Sequence, residues 1–179
     1  MLIIDKEFHE LIPPLIPEEY KGLEQSIIAE GCRDSLVVWN DILVDGHNRH
    51  EICTRNNILF NIVEKTFDNR EQVKEWIILN QFGRRNLSAY DRSLLALKLK
   101  NLFSQQAEIR MMSGIPVPIS EQGRTVEKLA KVAGVGKDTI RKVEKIESNA
   151  TNEVKQKLSA GEMTINQAYA AKVFYLKEE

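Results

Sequence analysis

Cysteine is scarce in this sequence. Among its 179 residues only Cys32 and Cys53 are cysteines, too few for a disulfide framework and too irregular in spacing for a zinc ribbon. So small a number is typical of a reducing compartment, and we expect the protein in the cytoplasm.

Long apolar runs are missing too. No stretch of about eighteen apolar residues occurs, which excludes a membrane-spanning helix and makes a membrane partner unexpected. The amino terminus, MLIIDKEFHE, lacks a basic segment followed by a long apolar one, so a secretory signal is not predicted. With 42% apolar and 28% charged residues, the composition is ordinary for a globular protein of one large or two small domains.

Charge is distributed unevenly along the chain. The net charge is −1, yet residues 1–80 carry 8 Lys and Arg against 15 Asp and Glu, whereas residues 81–120 carry 6 against 2 and residues 121–179 carry 11 against 9. An acidic front half joined to a basic rear half indicates that a polyanion contacts the rear. Chance asymmetry among solvated faces is the alternative.

The front of the chain alternates short helices and strands, which predicts an α+β unit. A helix over 18–30 ends at Gly31, and Asn40-Asp41 favours a tight hairpin between two strands. Asp68 with Glu71 three residues later predicts a capping pair at the start of another helix. The remaining predicted elements are strands 36–39 and 42–44, a helix over 49–55, a strand over 60–64 and the capped helix to about residue 79.

The pattern changes after the segment NQFGRRN. Ser88 and Asp91 can cap a leucine-rich helix that continues toward Ile109, and SGIPVPISEQG with its two prolines predicts a loop. From Thr125 onward the periodicity is helical. We therefore predict a boundary near residue 86, with an α+β domain over 1–86 and an all-helical domain over 87–179.

The segment TVEKLAKVAGVGKDTIRKVEKIE predicts a helix-turn-helix at about 126–146. That motif needs a small residue where the helices touch, a glycine in the turn and an apolar residue that holds the second helix. Ala130, Gly134 and Ile140 fill these positions. An ordinary helical hairpin within a bundle is the alternative interpretation.

The second helix of this pair would turn polar groups outward, able to bond base edges or phosphates in a major groove. Double-stranded DNA is thus the predicted partner. The predicted DNA-binding residues are Thr125, Gly136, Lys137, Asp138, Thr139, Arg141 and Lys142. Further on, the predicted helix that follows a Thr164 cap either supports this motif or forms an association surface; the residues on that face are Ile165, Ala168, Tyr169 and Leu176.

The segment DGHNRHEIC places a strand, an Asp-Gly turn and a helix start in succession. Such a turn leaves backbone N–H groups directed at one point, and Arg49 adds a charged fork suited to phosphate oxygens. Packing of a simple turn is an equal alternative. A metal site on His47, His50 and Cys53 lacks a second ligand cluster, and Cys53 lies where a small buried residue is expected.

The order of these motifs resembles the ParB family of plasmid and chromosome partition proteins. The resemblance rests on strand–DGHNRxE–helix, then LNQFGRRNLSAYDR, then the helix-turn-helix, from about Ile12 to about Tyr175. It implies a ParB/sulfiredoxin-like fold for the front domain. It also implies that the Gly-x-x-Arg turn cradles the phosphates of CTP; the residues concerned are Gly46, His47, Asn48 and Arg49.

A second family segment, Glu-Asn-x-x-Arg and then Leu, falls on Asn80, Gln81, Arg84 and Leu87. Asn80 stands where the family has a glutamate that helps hold the magnesium of the nucleotide. His47 stands where the sulfiredoxin branch has its reactive cysteine, so sulfiredoxin activity is not expected. Nuclease activity is not expected either, since no carboxylate cluster is assigned to it.

Arg84 and Arg85 begin the basic part of the chain. We expect them to contact phosphate, either of a nucleotide or of the DNA backbone. A solvated hinge between the two domains is the alternative.

Taken together, the motifs predict a ParB-like, sequence-specific DNA-binding protein that acts in partition or regulation and associates with the nucleoid or a plasmid. The resemblance implies CTP with Mg²⁺, a partition ATPase as partner and a homodimer. Two alternatives stay open. One is a transcriptional repressor, and the other is a nucleotide hydrolase or kinase-type enzyme whose acid/base candidates are Glu30, Asp45, His47 and His50.

Overall fold

The computed structural model describes residues 2–83, 87–113 and 126–175. The chain divides into two compact units, Met1–Leu79 and Asn80–Glu179, which are described one at a time. The predicted boundary near residue 86 lies outside the described residues.

The first unit is a small mixed sheet with helices. Its strands lie in the order β2-β1-β3, with β1 and β2 antiparallel and β1 and β3 parallel. Its elements are α1 Lys6–Glu10, α2 Pro17–Glu30, β1 Leu36–Trp39, β2 Ile42–Asp45, α3 His47–Arg55, β3 Ile62–Glu64 and α4 Arg70–Phe82, whose last residues belong to the second unit.

The hairpin between β1 and β2 is confirmed. Asn40 and Asp41 both have positive φ, at 49° and 64°, as a tight two-residue turn requires. Ile3 extends the other side of β2 with a parallel bridge to Ile42. This bridge is not predicted from the sequence, because a single paired residue leaves no alternating pattern.

The core of the first unit lies on both sides of the sheet. One group of buried side chains joins Phe8 of α1 and Val44 of β2 to Val73 and Ile77 of α4. A second group joins Ile27 of α2 to α3; its members on α3 are Ile52 and Cys53. The apolar face of each helix is thus covered by an element distant in sequence.

Four predicted boundaries in this part of the chain are wrong, and one of them is the end of α4, predicted at about residue 79 and observed at Phe82. The helix predicted from Arg49 begins at His47, and the strand predicted from Phe60 begins at Ile62. The cap of α4 is Asn69 rather than Asp68: the Gln72 N–H donates to Asn69 Oδ1 at 3.0 Å. The predicted pair, Asp68 with Glu71, and the observed pair, Asn69 with Gln72, have the same spacing. The start of α4 therefore follows from which face of the helix is buried rather than from the capping pattern.

Beyond α4, the described secondary-structure elements of the second unit are all helices. Ser88 caps the first of these helices as predicted, since its Oγ accepts the Asp91 N–H at 3.0 Å. Thr164 caps the last one in the same way, through the Gln167 N–H at 3.2 Å. The helices are α5 Ala89–Met112, α6 Val126–Ala133, α7 Lys137–Asn149, α8 Asn152–Ser159 and α9 Ile165–Tyr175.

A short turn joins α6 to α7 where the helix-turn-helix is predicted. Gly134 has φ +65°, and its N–H donates to Lys131 O at 3.3 Å while the Val135 N–H donates to Ala130 O at 3.1 Å. This pair of bonds is a Schellman motif, which ends a helix through a left-handed residue. The chain then enters α7 at Gly136, which has an ordinary φ of −69°.

One face of α7 is buried in the second unit. Ile140, Val143 and Ile146 are at most 1% exposed, and α7 packs against α5, α6 and α9. The small contact predicted for α6, Ala130, is 6% exposed. This packing leaves the opposite face of α7 as the exposed one.

No described helix has both the length and the apolar composition needed to cross a membrane.

Substitution of Gly134 tests the turn. Gly134→Ala should lower the free energy of unfolding by about 1–2 kcal/mol, because an L-residue is strained at positive φ although no atom would lie within 4 Å of the added Cβ. Gly136→Ala is the matched control, since its φ is negative and the nearest atom is Thr139 Oγ1 at 3.5 Å. Urea unfolding followed by far-ultraviolet circular dichroism measures both. Equal effects of the two substitutions would contradict the role given to Gly134.

Candidate functional site

The turn between β2 and α3 is built around Gly46. This residue has φ +97° and ψ 24° and immediately precedes α3. A Cβ at this position would lie 2.6 Å from Leu36 Cδ2 and 3.1 Å from Arg49 Nη2. Backbone conformation and close packing against Leu36 and Arg49 therefore both require glycine.

Arg49 is held in the first turn of α3 by the residues around it. Its Nη2 donates to Asp45 Oδ2 at 3.1 Å and to the backbone oxygen of Ser35 at 3.4 Å. The side chains of Arg49 and Asp45 are 22% and 14% exposed. The Nε of Arg49 is buried and has no acceptor among the described residues, so this nitrogen is not accessible to a ligand in this conformation.

The other predicted residues of the turn differ in accessibility. The His47 side chain is only 7% exposed, and its ring lies edge-on to that of His9 with centroids 5.1 Å apart. Asn48 is half-buried. A ligand at this turn would therefore not contact the His47 ring in this conformation.

Asn80 lies in the second unit and is exposed, whereas its neighbour Gln81 is 1% exposed. The predicted phosphate residues thus divide between the two units. Arg84, Arg85 and Thr125 lie outside the described residues.

The acid/base candidates of the enzyme alternative have separate surroundings. Glu30 pairs with Arg33 at 2.8 Å, Asp45 pairs with Arg49, and the ring of His50 lies edge-on to Phe60 with centroids 5.5 Å apart. Among the described residues, no group of three or more His, Cys, Asp and Glu side chains is placed to hold a metal ion.

Cys53 lies on α3 behind the turn and is fully buried. Burial first, and then the neighbouring Cys32 thiol, raise the pKa of its thiol to about 11, although the positive charge of Arg49 acts in the opposite direction. A thiol with so high a pKa is protonated at neutral pH and is a poor nucleophile. Cys53 therefore packs the core of the first unit.

Two of the predicted DNA-binding residues, Asp138 and Arg141, are exposed on α7. Asp138 and Arg141 form an ion pair at 3.6 Å, with side chains 86% and 57% exposed. Gly136 is exposed, and Lys137 and Thr139 are half-buried. Within this unit, the first two turns of α7 are therefore accessible to a ligand.

The far end of that face contacts α9. Lys142 Nζ donates to Asn166 Oδ1 at 2.8 Å, and Lys145 Nζ donates to the Tyr169 hydroxyl oxygen at 3.4 Å. Both ammonium groups lie 5.9 Å from the centre of the Tyr169 ring. Lys142 is thus engaged with α9 rather than extended into solvent.

Three further residues of this surface were not predicted as DNA contacts: Lys145, Asn166 and Tyr169. Lys145 could have been found, because it lies one helical turn beyond Arg141 on the same face. Nothing local links Asn166 or Tyr169 to α7, since 24 positions separate each from its lysine.

Comparison with solved structures identifies the fold. A Pnob8-like ParB N domain superposes with a TM-score of 0.63 at 18% identity, covering 96% of this chain and 76% of that chain. A second structure of a pNOB8-like ParB N domain gives 0.60 at 18% identity, covering 99% and 75%. C-terminally truncated ParB from Caulobacter crescentus, complexed to the centromeric parS site, gives 0.50 at 18% identity, covering 96% and 80%.

At this level of identity the comparison shows the fold alone. The chain has the fold of ParB N domains, as its motifs predict. No family model and no curated protein matches the sequence.

The raised pKa of Cys53 predicts a loss of stability at alkaline pH. The unfolded thiol ionises near its ordinary pKa of 9.0 and the folded one near 11, so the unfolded state binds fewer protons between these values and the free energy of unfolding falls as pH rises. Cys53→Ala should be less stable than the wild type at neutral pH, and this difference should narrow from pH 9 to pH 11. Denaturant unfolding followed by the fluorescence of Trp39 and Trp76, both in the first unit, measures it. A difference independent of pH would contradict the assignment.

Proposed function

We propose that this chain is a ParB-like DNA-binding protein that recognises a specific site in double-stranded DNA through α7. It acts in the partition of a plasmid, phage or chromosome, or in regulation at such a site, and is associated with the nucleoid or a plasmid in the cytoplasm. Partition would also require a partner ATPase, as the resemblance implies. The first unit serves as a nucleotide-responsive module.

The observation that carries this proposal is the exposed face of α7 behind a tightly formed turn. A helix in a major groove must turn polar side chains outward while its opposite face stays packed. Arg141 is more than half exposed on one side of α7, and Ile140 is 1% exposed on the other. Arginine bonds guanine in a bidentate manner.

Asp138 adds a possible element of specificity to this face. A carboxylate repels phosphate but accepts a hydrogen bond from the amino group of cytosine. The ion pair with Arg141, at 3.6 Å, holds the two side chains together. The carboxylate, which accepts hydrogen bonds, and the guanidinium, which donates them, then face the groove side by side. The DNA-bound neighbour, complexed to its centromeric parS site, supports the choice of a partition site.

Recognition by a dimer sets a geometric requirement on the site. Two recognition helices related by a twofold axis contact half-sites about 34 Å apart, or a multiple of that distance. The proposed homodimer would thus select an inverted repeat. A monomer would select a single half-site.

For the nucleotide, the turn at Gly46 fits a phosphate. The start of α3 follows Gly46 directly, where the dipole of a helix favours an anion, and the Arg49 side chain is 22% exposed while it bonds Asp45 and Ser35. Asp45 competes for the same guanidinium, so a phosphate must displace or share this ion pair. The residues proposed to hold the phosphates are Gly46, His47, Asn48 and Arg49, with Asn80, Arg84 and Arg85 from the following segment.

The magnesium of the nucleotide fits less well. Asn80 offers an amide oxygen without charge at the position where the family has a carboxylate, and Mg²⁺ prefers carboxylates and phosphate oxygens. We therefore propose that CTP binds through its phosphates. Any CTP hydrolysis would be slow, and no observation on the described residues favours the alternative nucleotide hydrolase or kinase.

Site selection from random duplexes, followed by binding measurements, tests DNA recognition. The wild type should enrich one sequence family, and Arg141→Ala should bind the selected site about 10- to 100-fold more weakly, as expected for the loss of one base contact. Arg33→Ala is the matched control, because Arg33 is also exposed and also pairs with a carboxylate three residues earlier. Weak binding of equal strength to every sequence would exclude specific recognition.

Nucleotide binding is tested by isothermal titration with CTP, with and without Mg²⁺. Arg49→Ala should weaken CTP binding at least about tenfold, the cost of one charge-assisted contact. Asn80→Glu, which restores the carboxylate of the family, should make binding stronger in the presence of Mg²⁺ and not in its absence. ATP is the control ligand. No detectable binding of CTP to the wild type would leave the first unit as an interaction or structural module.

A further inference from the structure

Four polar side chains lie together where α7 meets α9. They are Lys142, Lys145, Asn166 and Tyr169, and we call them the donor cluster. Lys142 bonds Asn166, Lys145 bonds the Tyr169 hydroxyl, and the Tyr169 ring lies 5.9 Å from both ammonium groups. All four residues belong to the second unit, in which α7 packs against α9.

The hydrogen bonds of the cluster determine which groups stay available. A lysine ammonium can only donate, so the oxygens of Asn166 and Tyr169 are the acceptors in both bonds. This leaves the amide N–H groups of Asn166, the O–H of Tyr169 and the remaining ammonium hydrogens for a ligand. The surface therefore offers donors and two positive charges together.

A phosphodiester is the chemical complement of such a surface. It carries one negative charge, its oxygens only accept hydrogen bonds, and neutral Asn and Tyr side chains commonly accompany Lys at phosphate contacts. The carboxylates nearby on α7 are engaged elsewhere: Asp138 pairs with Arg141, and Glu144 pairs with Lys100 of α5 at 2.7 Å. They do not neutralise the cluster.

The position of the cluster on α7 separates it from the proposed base contacts. Asp138 and Arg141 lie near the start of the helix, whereas Lys142 and Lys145 lie farther along and toward α9. A helix whose first turns enter a major groove has its flanks beside the phosphates that border the groove. Cation–π attraction between the Tyr169 ring and the two ammonium groups favours positions of both lysines on this flank.

We propose that the donor cluster binds backbone phosphates of the DNA beside the groove occupied by α7, and that Asn166 and Tyr169 of α9 are DNA-contacting residues. This inference rests on the proposed function and deepens it. The cluster adds affinity that does not depend on sequence, while Arg141 and Asp138 supply specificity.

Asn166→Asp is the most discriminating variant. It preserves the shape of the side chain and gives Lys142 a charged partner, so the folded protein should be as stable as the wild type or more so. It also places a negative charge against the phosphates, so DNA affinity should fall at least about fivefold. The loss of about one phosphate contact should make the slope of log K against log salt less steep by roughly 0.9. A merely structural role predicts no loss of affinity.

Two further variants separate charge from hydrogen bonding. Lys145→Gln should make the slope of log K against log salt less steep by about 0.9, because one phosphate contact is lost. Tyr169→Phe removes no charge, so it should weaken binding about fivefold, as expected for one hydrogen bond, without a change in slope. Both effects should be equal on the selected site and on a random duplex, because phosphate contacts carry no sequence information.

The experiment is fluorescence anisotropy of labelled duplexes over a salt series, with thermal unfolding of each variant. Gln156→Glu, an amide-to-carboxylate change at an exposed position of α8, is the control for Asn166→Asp and should bind as the wild type does. Lys157→Gln, on the exposed side of α8 with its partner Glu153, is the control for Lys145→Gln.

Each outcome has one consequence. If Asn166→Asp and Lys145→Gln keep the wild-type affinity and slope while Arg141→Ala loses specific binding, the donor cluster does not contact DNA and the proposed function stands. If affinity falls only in variants that also unfold earlier, the cluster is structural. If the wild type binds no duplex even at low salt, the proposed function fails, and this inference fails with it.

Discussion

The burial of one face of α7 is the constraint on which the second unit depends. Ile140, Val143 and Ile146 pack against neighbouring helices and are almost completely excluded from solvent. Since a helix repeats every 3.6 residues, this burial determines that Arg141 and Asp138 face outward. The left-handed residue at Gly134 allows α6 and α7 to meet across so short a turn. Insertion of one residue between the buried and the polar positions of α7 would rotate the polar groups by about 100° around the helix axis.

Electrostatics acts differently in the two units. In the first unit the guanidinium of Arg49 is already paired with Asp45 and bonded to the backbone of Ser35. An incoming phosphate therefore competes with the Asp45 carboxylate. In the second unit the lysines of the donor cluster are held by neutral acceptors of α9. Neutral partners position a cation without cancelling its charge, which makes the surface of α7 the stronger candidate for contact with a polyanion.

Local patterns predicted the parts of the fold that local chemistry controls. Ser88 and Thr164 were predicted as helix caps because a hydroxyl bonds an N–H three residues later, within one turn. The same rule failed at α4, where Asp68 with Glu71 and Asn69 with Gln72 have equal spacing and only burial of Val73 and Ile77 distinguishes them. His47 was predicted as a residue of the phosphate turn, but nothing in the sequence indicated that its ring would be buried beside His9.

The sequence by itself determined the hairpin at Asn40 and Asp41, the glycine turns and the helix pair around Ala130, Gly134 and Ile140. These features depend on backbone conformation and periodicity over a few residues. Only the tertiary structure decided the bridge of Ile3 to β2, the pairing of Arg49 with the Ser35 backbone and the contact of Lys142 and Lys145 with α9. Each of these joins residues that are far apart along the chain, and their proximity follows from how the helices and strands bury their apolar faces.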